Sequence, residues 1–162
     1  MSTLVIYYSQ ARGNTKRIAE MIQEKLNCDI ERIDTQVPYS DDYKIVVDQG
    51  QDEVNKGYKP EIKALNKNIE DYDKIIIGTP TWWYTMAPAM NTFLSSNNFE
   101  NKNVILFQTH GGWAGHAIKD MEKLCNGANI KSSYQVQFDS EGGDNLITLI
   151  EDIEKWIDSL NE

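Results

Sequence analysis

The chain has 162 residues, 40% of them hydrophobic and 25% charged, with a formal net charge of −9 from 16 basic and 25 acidic residues. That length suits one domain, residues 1–162, which would bury on the order of two thirds of its unfolded surface. The acidic balance argues against nucleic acid or anionic membrane as a partner, since both need a positive footprint, and no apolar run approaches the roughly 20 residues of a membrane-spanning helix.

The N-terminus enters the apolar run Leu4-Val5-Ile6-Tyr7-Tyr8 without the basic and apolar stretches of a signal peptide, so a cytoplasmic location is expected. This run predicts the first strand. Ser9-Gln10-Ala11-Arg12-Gly13-Asn14-Thr15 follows, then a helix with Ile18, Ile22 and Leu26 on one face. Strand, polar loop and helix suit a phosphate, because a helix start exposes unpaired N–H groups and carries about half a positive charge. The same residues also suit an ordinary turn, with Asn14 or Thr15 capping the helix and Gly13 permitting the bend. The Gly-Lys-Ser/Thr ending of a triphosphate loop and the Gly-x-Gly-x-x-Gly dinucleotide fingerprint are both absent, which leaves a monophosphate. Arg12, Lys16 and Arg17 place positive charge against the macrodipole, where an anion would offset it; solvent-facing side chains are the alternative.

Further strands are predicted at 28–34, 74–79, 103–109 and 134–138. Ile75-Ile76-Ile77 and Val104-Ile105-Leu106-Phe107 are unbroken apolar runs, as central parallel strands covered on both faces require. Tyr134, Val136 and Phe138 alternate with glutamines, as at a sheet edge. Helical spacing recurs at Met90, Phe93 and Leu94, at Ile118, Met121, Leu124 and Cys125, and from Leu146 and Leu149 through Ile153 and Trp156 to Leu160. Residues 41–56 predict a helix with Tyr43 and Val47 inward, weakened by Gly50, and 57–71 a long surface connection. Cys28 and Cys125, distant in sequence, are expected as buried free thiols. Five strand–helix alternations predict an α/β domain, doubly wound, with a parallel sheet and helices on both faces. Its ligand would lie beyond the carboxyl ends of the strands, where the loops begin at Ser9, Thr79 and Thr109.

Two of these loops are aromatic. Thr79-Pro80-Thr81-Trp82-Trp83-Tyr84-Thr85-Met86-Ala87-Pro88 and Thr109-His110-Gly111-Gly112-Trp113-Ala114-Gly115-His116 hold three of the four tryptophans and both histidines. Loop aromatics anchor small clusters or partner contacts; beside a phosphate loop they also suit a flat ring with a phosphate tail.

With Ser-x-x-x-Gly-Asn-Thr after the first strand, Thr-Pro-Thr-Trp after the third and a glycine-rich loop after the fourth, the chain resembles the flavodoxin-like FMN proteins over nearly its full length. The resemblance implies five parallel strands in the order 2-1-3-4-5, with FMN held noncovalently in the crevice between the first and third. It assigns Ser9, Gln10, Ala11, Arg12, Gly13, Asn14 and Thr15 to the phosphate, and Pro80, Thr81, Trp82, Trp83 and Tyr84 to one side of the ring. Thr109, His110, Gly111, Gly112, Trp113 and Gly115 would approach its pyrimidine edge and other face. The implied role is carrying electrons between redox partner proteins.

Gly78-Thr79-Pro80-Thr81, with Met86-Ala87 and Phe93-Leu94, is also similar to the NAD(P)H:quinone reductases of this fold. That likeness implies hydride transfer from NAD(P)H to a small acceptor, with no obligatory side-chain acid or base. Electron-shuttling flavodoxins have a glycine where this chain has Trp83, at a peptide that flips toward the reduced flavin, and a tryptophan there is expected to avoid positive φ. A phosphoacceptor receiver would need acidic residues where Tyr7-Tyr8-Ser9 and Thr79-Pro80 stand, and a low-molecular-weight phosphatase a cysteine in the first loop.

Overall fold

The protein is described by a computed structural model covering residues 2–10, 13–141 and 143–161. In chain order its elements are β1 (Thr3–Tyr7), α1 (Asn14–Leu26), β2 (Asp29–Arg32), α2 (Tyr43–Lys56), β3 (Lys74–Trp82), β4 (Thr85–Met86), α3 (Pro88–Ser95), β5 (Asn103–His110), α4 (Ala117–Leu124), β6 (Asn129–Gln137) and α5 (Ile150–Ser159), with a 3₁₀ turn at Ile69–Asp71. The sheet order is β2-β1-β3-β5-β6, all parallel. The five parallel strands therefore wind as expected. A sixth strand is added because β3 runs on to Trp82 and the chain folds back, pairing Thr81 with Met86 and Trp82 with Thr85.

Alternation along the central strands divides the core in two. Leu4, Ile6, Ile75, Ile77, Val104 and Leu106 pack with Met90, Phe93 and Met121 beneath α3 and α4. Val5, Ile76, Ile105 and Phe107 pack with Ile18, Ile22, Ile153 and Ile157 beneath α1 and α5. Both faces of the sheet are thus covered, and each fully buried aliphatic side chain contributes about 1.5–3 kcal/mol through water removal.

The edge strand β6 begins at Asn129, well before the predicted 134, because its backbone pairs with β5 from Asn129 onward, although Asn129–Ser133 is largely exposed and carries no apolar alternation. Helix α5 begins at Ile150, later than the spacing of Leu146 and Leu149 suggests. Leu146 instead bridges Phe138, and the N–H groups of Ile147 and Thr148 both donate to the Gln137 carbonyl, at 2.9 and 3.1 Å. Backbone pairing to the sheet edge outcompetes another helical turn.

Helix α2 lies where predicted, but Tyr43 is exposed and Gly50 is buried. The connection after it is anchored: Thr35 bridges Ile62, and the Glu31 carboxylate accepts from the N–H groups of Asn66 and Lys67 at 2.7 and 2.8 Å. Both cysteines are free; Cys125 is buried, which pushes its thiol up to about 12, whereas Cys28 is only half-buried. Among the described residues no helix is long and apolar enough to cross a membrane.

Candidate functional site

A cleft of about 1200 Å³ opens over the carboxyl ends of β1, β3 and β5. Its first wall is the loop after β1. Gly13, at φ 74, is the residue before α1 and has no side chain to cap it, in contrast to α2, where Asp42 accepts from Lys44 and Ile45. Neither Asn14 nor Thr15 therefore acts as the cap. Asn14 donates through Nδ2 to the Gly143 carbonyl at 3.0 Å, and the Thr15 and Thr109 hydroxyls lie 2.7 Å apart. One hydrogen joins that hydroxyl pair and the other is left to donate elsewhere. Ser9 Oγ accepts from the Lys16 N–H at 3.2 Å, and Arg32 donates to the Ser9 carbonyl at 2.9 Å while pairing with Asp34 at 3.1 Å. Lys16 and Arg17 are exposed and still border the cleft.

The second wall is the β3–β4 hairpin. Trp83 and Tyr84 occupy its two central positions with φ 50 and 71, which overturns the expectation that Trp83 avoids positive φ. The cause is geometric, since a two-residue hairpin whose central residues both have positive φ is the turn that matches strand twist. For bulky residues this costs on the order of 1–3 kcal/mol each, so neighbours must hold it. Trp83 Nε1 donates to the Val47 carbonyl at 2.9 Å, and the His116 N–H donates to the Tyr84 carbonyl at 2.7 Å. Trp82 packs edge-on against Tyr8 and Tyr39, with ring centroids 6.0 and 5.1 Å away. A Cβ at Gly50 would lie 3.1 Å from the Trp82 ring. The helix-weakening glycine is thus where α2 admits an indole.

The third wall follows β5. Gln108, fully buried, donates to Thr81 Oγ1 at 2.7 Å and the Ala114 carbonyl at 3.0 Å and accepts from Gln135 at 3.0 Å, tying this loop to the end of β3. His110 lines the cleft with Nδ1 accepting from the Gly112 N–H at 3.0 Å, which assigns its proton to Nε2. Burial lowers its pKa from 6.5, and the Gly112 N–H aimed at Nδ1 acts in the same direction. The neutral form is favoured by folding, so this contribution to stability is complete above pH 6.5 and is lost as pH falls through the lowered folded value. An NMR titration of the His110 ring is expected to give a midpoint below 6.5; a midpoint at or above it would contradict this environment.

Of the residues assigned from sequence, Ser9, Gln10, Gly13, Asn14, Thr15, Pro80, Thr81, Trp82, Trp83, Tyr84, Thr109, His110, Gly111 and Trp113 line this one cleft. Ala11 and Arg12 lie outside the described residues. Gly112 and Gly115 stand back from it. The Gly112 N–H is turned to His110, and Gly115, at φ 58, backs onto the hairpin, where a Cβ would lie 2.2 Å from the Tyr84 oxygen.

Sequence reasoning missed the wall formed by Tyr43, Val46, Val47 and Gly50 of α2, the Arg32 side chain, and Asp139, Ser140 and Gly143. A small residue in a helix opposite a Trp-Trp pair, and an Asp-Ser-Glu-Gly-Gly run after the last strand, are the signals that pointed there.

A family model described as Flavodoxin matches residues 2–157. No curated protein matches the chain. Among solved structures, a Lactobacillus acidophilus flavoprotein in complex with FMN is 25% identical, with a TM-score of 0.73 over 83% of this chain and 92% of its own. A Bacteroides eggerthii protein assigned as a flavoprotein is 28% identical, with a TM-score of 0.79 over 99% and 98%. A Streptococcus flavodoxin, 18% identical with a TM-score of 0.58 over 100% and 97%, shares the fold. With the family model spanning nearly all of the sequence and the three walls built as described, the chain belongs to the flavodoxin family.

Proposed function

We propose that the protein is an FMN-dependent electron carrier, a single domain working in the cytoplasm between redox partner proteins. The observation that carries this reading is the convergence of Ser9, Gln10, Gly13, Asn14 and Thr15, the β3–β4 hairpin and the loop after β5 on one cleft. The donor set fits FMN: a helix start whose cap residue, Gly13, has no side chain and open space beside it, and a hydroxyl pair with one hydrogen to spare, suit a phosphate. The flanking indoles suit a flat ring, and family membership with the FMN-bound relative supports the same cofactor.

FMN, when bound, supplies the one- or two-electron chemistry. Ser9, Gln10, Gly13, Asn14 and Thr15 would hold its phosphate. Pro80 to Tyr84 on one side, and Thr109, His110, Gly111 and Trp113 on the other, would orient the ring and exclude water from it. No side chain is assigned a catalytic proton transfer; neutral His110 offers an Nε2–H hydrogen bond.

Of the three indoles in the cleft, Trp82 and Trp113 divide their work. Trp113 is 62% exposed, so Trp113→Ala is expected to loosen FMN several-fold to tenfold, about 0.5–1.5 kcal/mol, with the melting temperature unchanged. Trp82→Ala also removes contacts with Tyr8 and Tyr39 and should lower both affinity and stability. Unaltered FMN fluorescence in both variants would place the indoles away from the ring.

A second reading, an FMN-dependent NAD(P)H oxidoreductase of the quinone-reductase type, is favoured by the likeness of Gly78-Thr79-Pro80-Thr81, with Met86-Ala87 and Phe93-Leu94, to the quinone reductases of this fold. Steady-state kinetics separate the two. The carrier should oxidise NADPH with a quinone only when a reductase is added, and rapid turnover by the protein alone would replace the carrier reading with the reductase.

A further inference from the structure

The hairpin tip that borders the cleft is strained at both central residues, and the side chains that grip its outer side lie elsewhere. Thr85 Oγ1 donates to Asp120 Oδ2 at 2.5 Å, and His116 Nδ1 pairs with the same carboxylate oxygen. The His116 N–H holds the Tyr84 carbonyl at 2.7 Å, so consecutive hairpin residues are tied to the start of α4. On the inner side a hydrogen bond from the Trp83 indole to α2 completes the grip. Neither His116 nor Asp120 lines the cleft.

We propose that His116 and Asp120 are positioning residues for the cleft, forming with Thr85 a latch that keeps the Trp83–Tyr84 turn in its positive-φ form, so that a ligand meets a preformed wall. The proposal rests on the reading of the cleft as the FMN site. A turn of two bulky aromatics at positive φ persists only where its surroundings over-determine it. The latch supplies that determination from one carboxylate shared by two donors.

The same logic makes the latch dispensable for geometry when the turn itself favours positive φ. Asn-Gly is the sequence that does so. Asp120→Ala is therefore compared in the native turn and in a background carrying Trp83→Asn and Tyr84→Gly, with FMN dissociation constants and apo-protein melting temperatures measured in each. In the native turn, Asp120→Ala should raise the FMN dissociation constant about tenfold, while released strain partly offsets the lost bonds and the apo melting temperature falls only slightly. In the Asn-Gly background the affinity should change less than about twofold, and the melting temperature should fall further because no strain is released. His116→Ala, at a side chain 60% exposed, is expected to show the same pattern more weakly and serves where Asp120→Ala fails to fold. Equal shifts in both backgrounds, in affinity and in melting temperature, would reduce Asp120 to ordinary packing and overturn the latch. Where no variant binds FMN, the cofactor reading fails, and the apo melting temperatures alone decide the latch by the same comparison.

Discussion

Apo protein is expected to bind FMN at least a hundredfold more tightly than riboflavin, which has the ring and ribityl chain without the phosphate. The cleft would meet the phosphate with the N–H groups of Asn14 and Thr15 at the start of α1, where the cap residue Gly13 has no side chain, and with the paired hydroxyls of Thr15 and Thr109. Hydrogen bonds to a charged partner are worth about 1.5–3 kcal/mol net each. Two of them amount to roughly 3–6 kcal/mol, and each ~1.4 kcal/mol is a factor of ten in affinity. Thr15→Val preserves shape and removes one hydroxyl, and Thr15 is buried against β5, so the substitution should weaken FMN about tenfold while leaving riboflavin unchanged. Fluorescence titration gives both ratios. Equal affinities for the two flavins would remove the phosphate from this loop.

Gly78→Ala is expected to be among the most destabilising single substitutions in the sheet. Gly78 pairs with Phe107 in the β3–β5 register, and a Cβ at Gly78 would lie 2.0 Å from the Phe107 ring. Phe107 is fully buried, packed against Ile18, Ile153 and Trp156 on the α1–α5 face, so its ring has nowhere to retreat. Overpacking of this kind costs about 1–3 kcal/mol or more, which for a chain of this length lowers the melting temperature by roughly 6–12 °C at the upper end. Adding Phe107→Leu to Gly78→Ala should recover part of the loss, because the smaller side chain yields the space. A melting temperature equal to the parent's for Gly78→Ala alone would contradict this packing.

The central sheet was legible from sequence because its strands are buried on both faces and so cannot alternate: Ile75-Ile76-Ile77 and Val104–Phe107 announce themselves by continuity. The loops of the site were legible because glycine, hydroxyls and indoles are unusual neighbours at strand ends. The hairpin at Trp83–Tyr84 was misread for a physical reason. Intrinsic preference disfavours positive φ for tryptophan, whereas the two-residue hairpin calls for it, and the contacts with Val47 and His116 that accompany it lie far away in sequence. Gly50 and Gln108 were opaque in the same way. A glycine reads as a helix defect until the Trp82 ring is seen against it, and a lone glutamine in an apolar strand gives no sign of joining Thr81, Ala114 and Gln135. The start of β6 escaped because an exposed polar edge has no pattern to read.

The central claim is where FMN sits, and amide chemical-shift mapping of the apo protein titrated with FMN tests it most directly. The largest shifts are expected at the start of α1 from Asn14 to Lys16, at Trp82 to Tyr84 and at Thr109 to Trp113, with only small changes along the exposed half of β6 at Asn129–Ser133. Shifts concentrated on β6 or α5, with the three loops unmoved, would contradict the account.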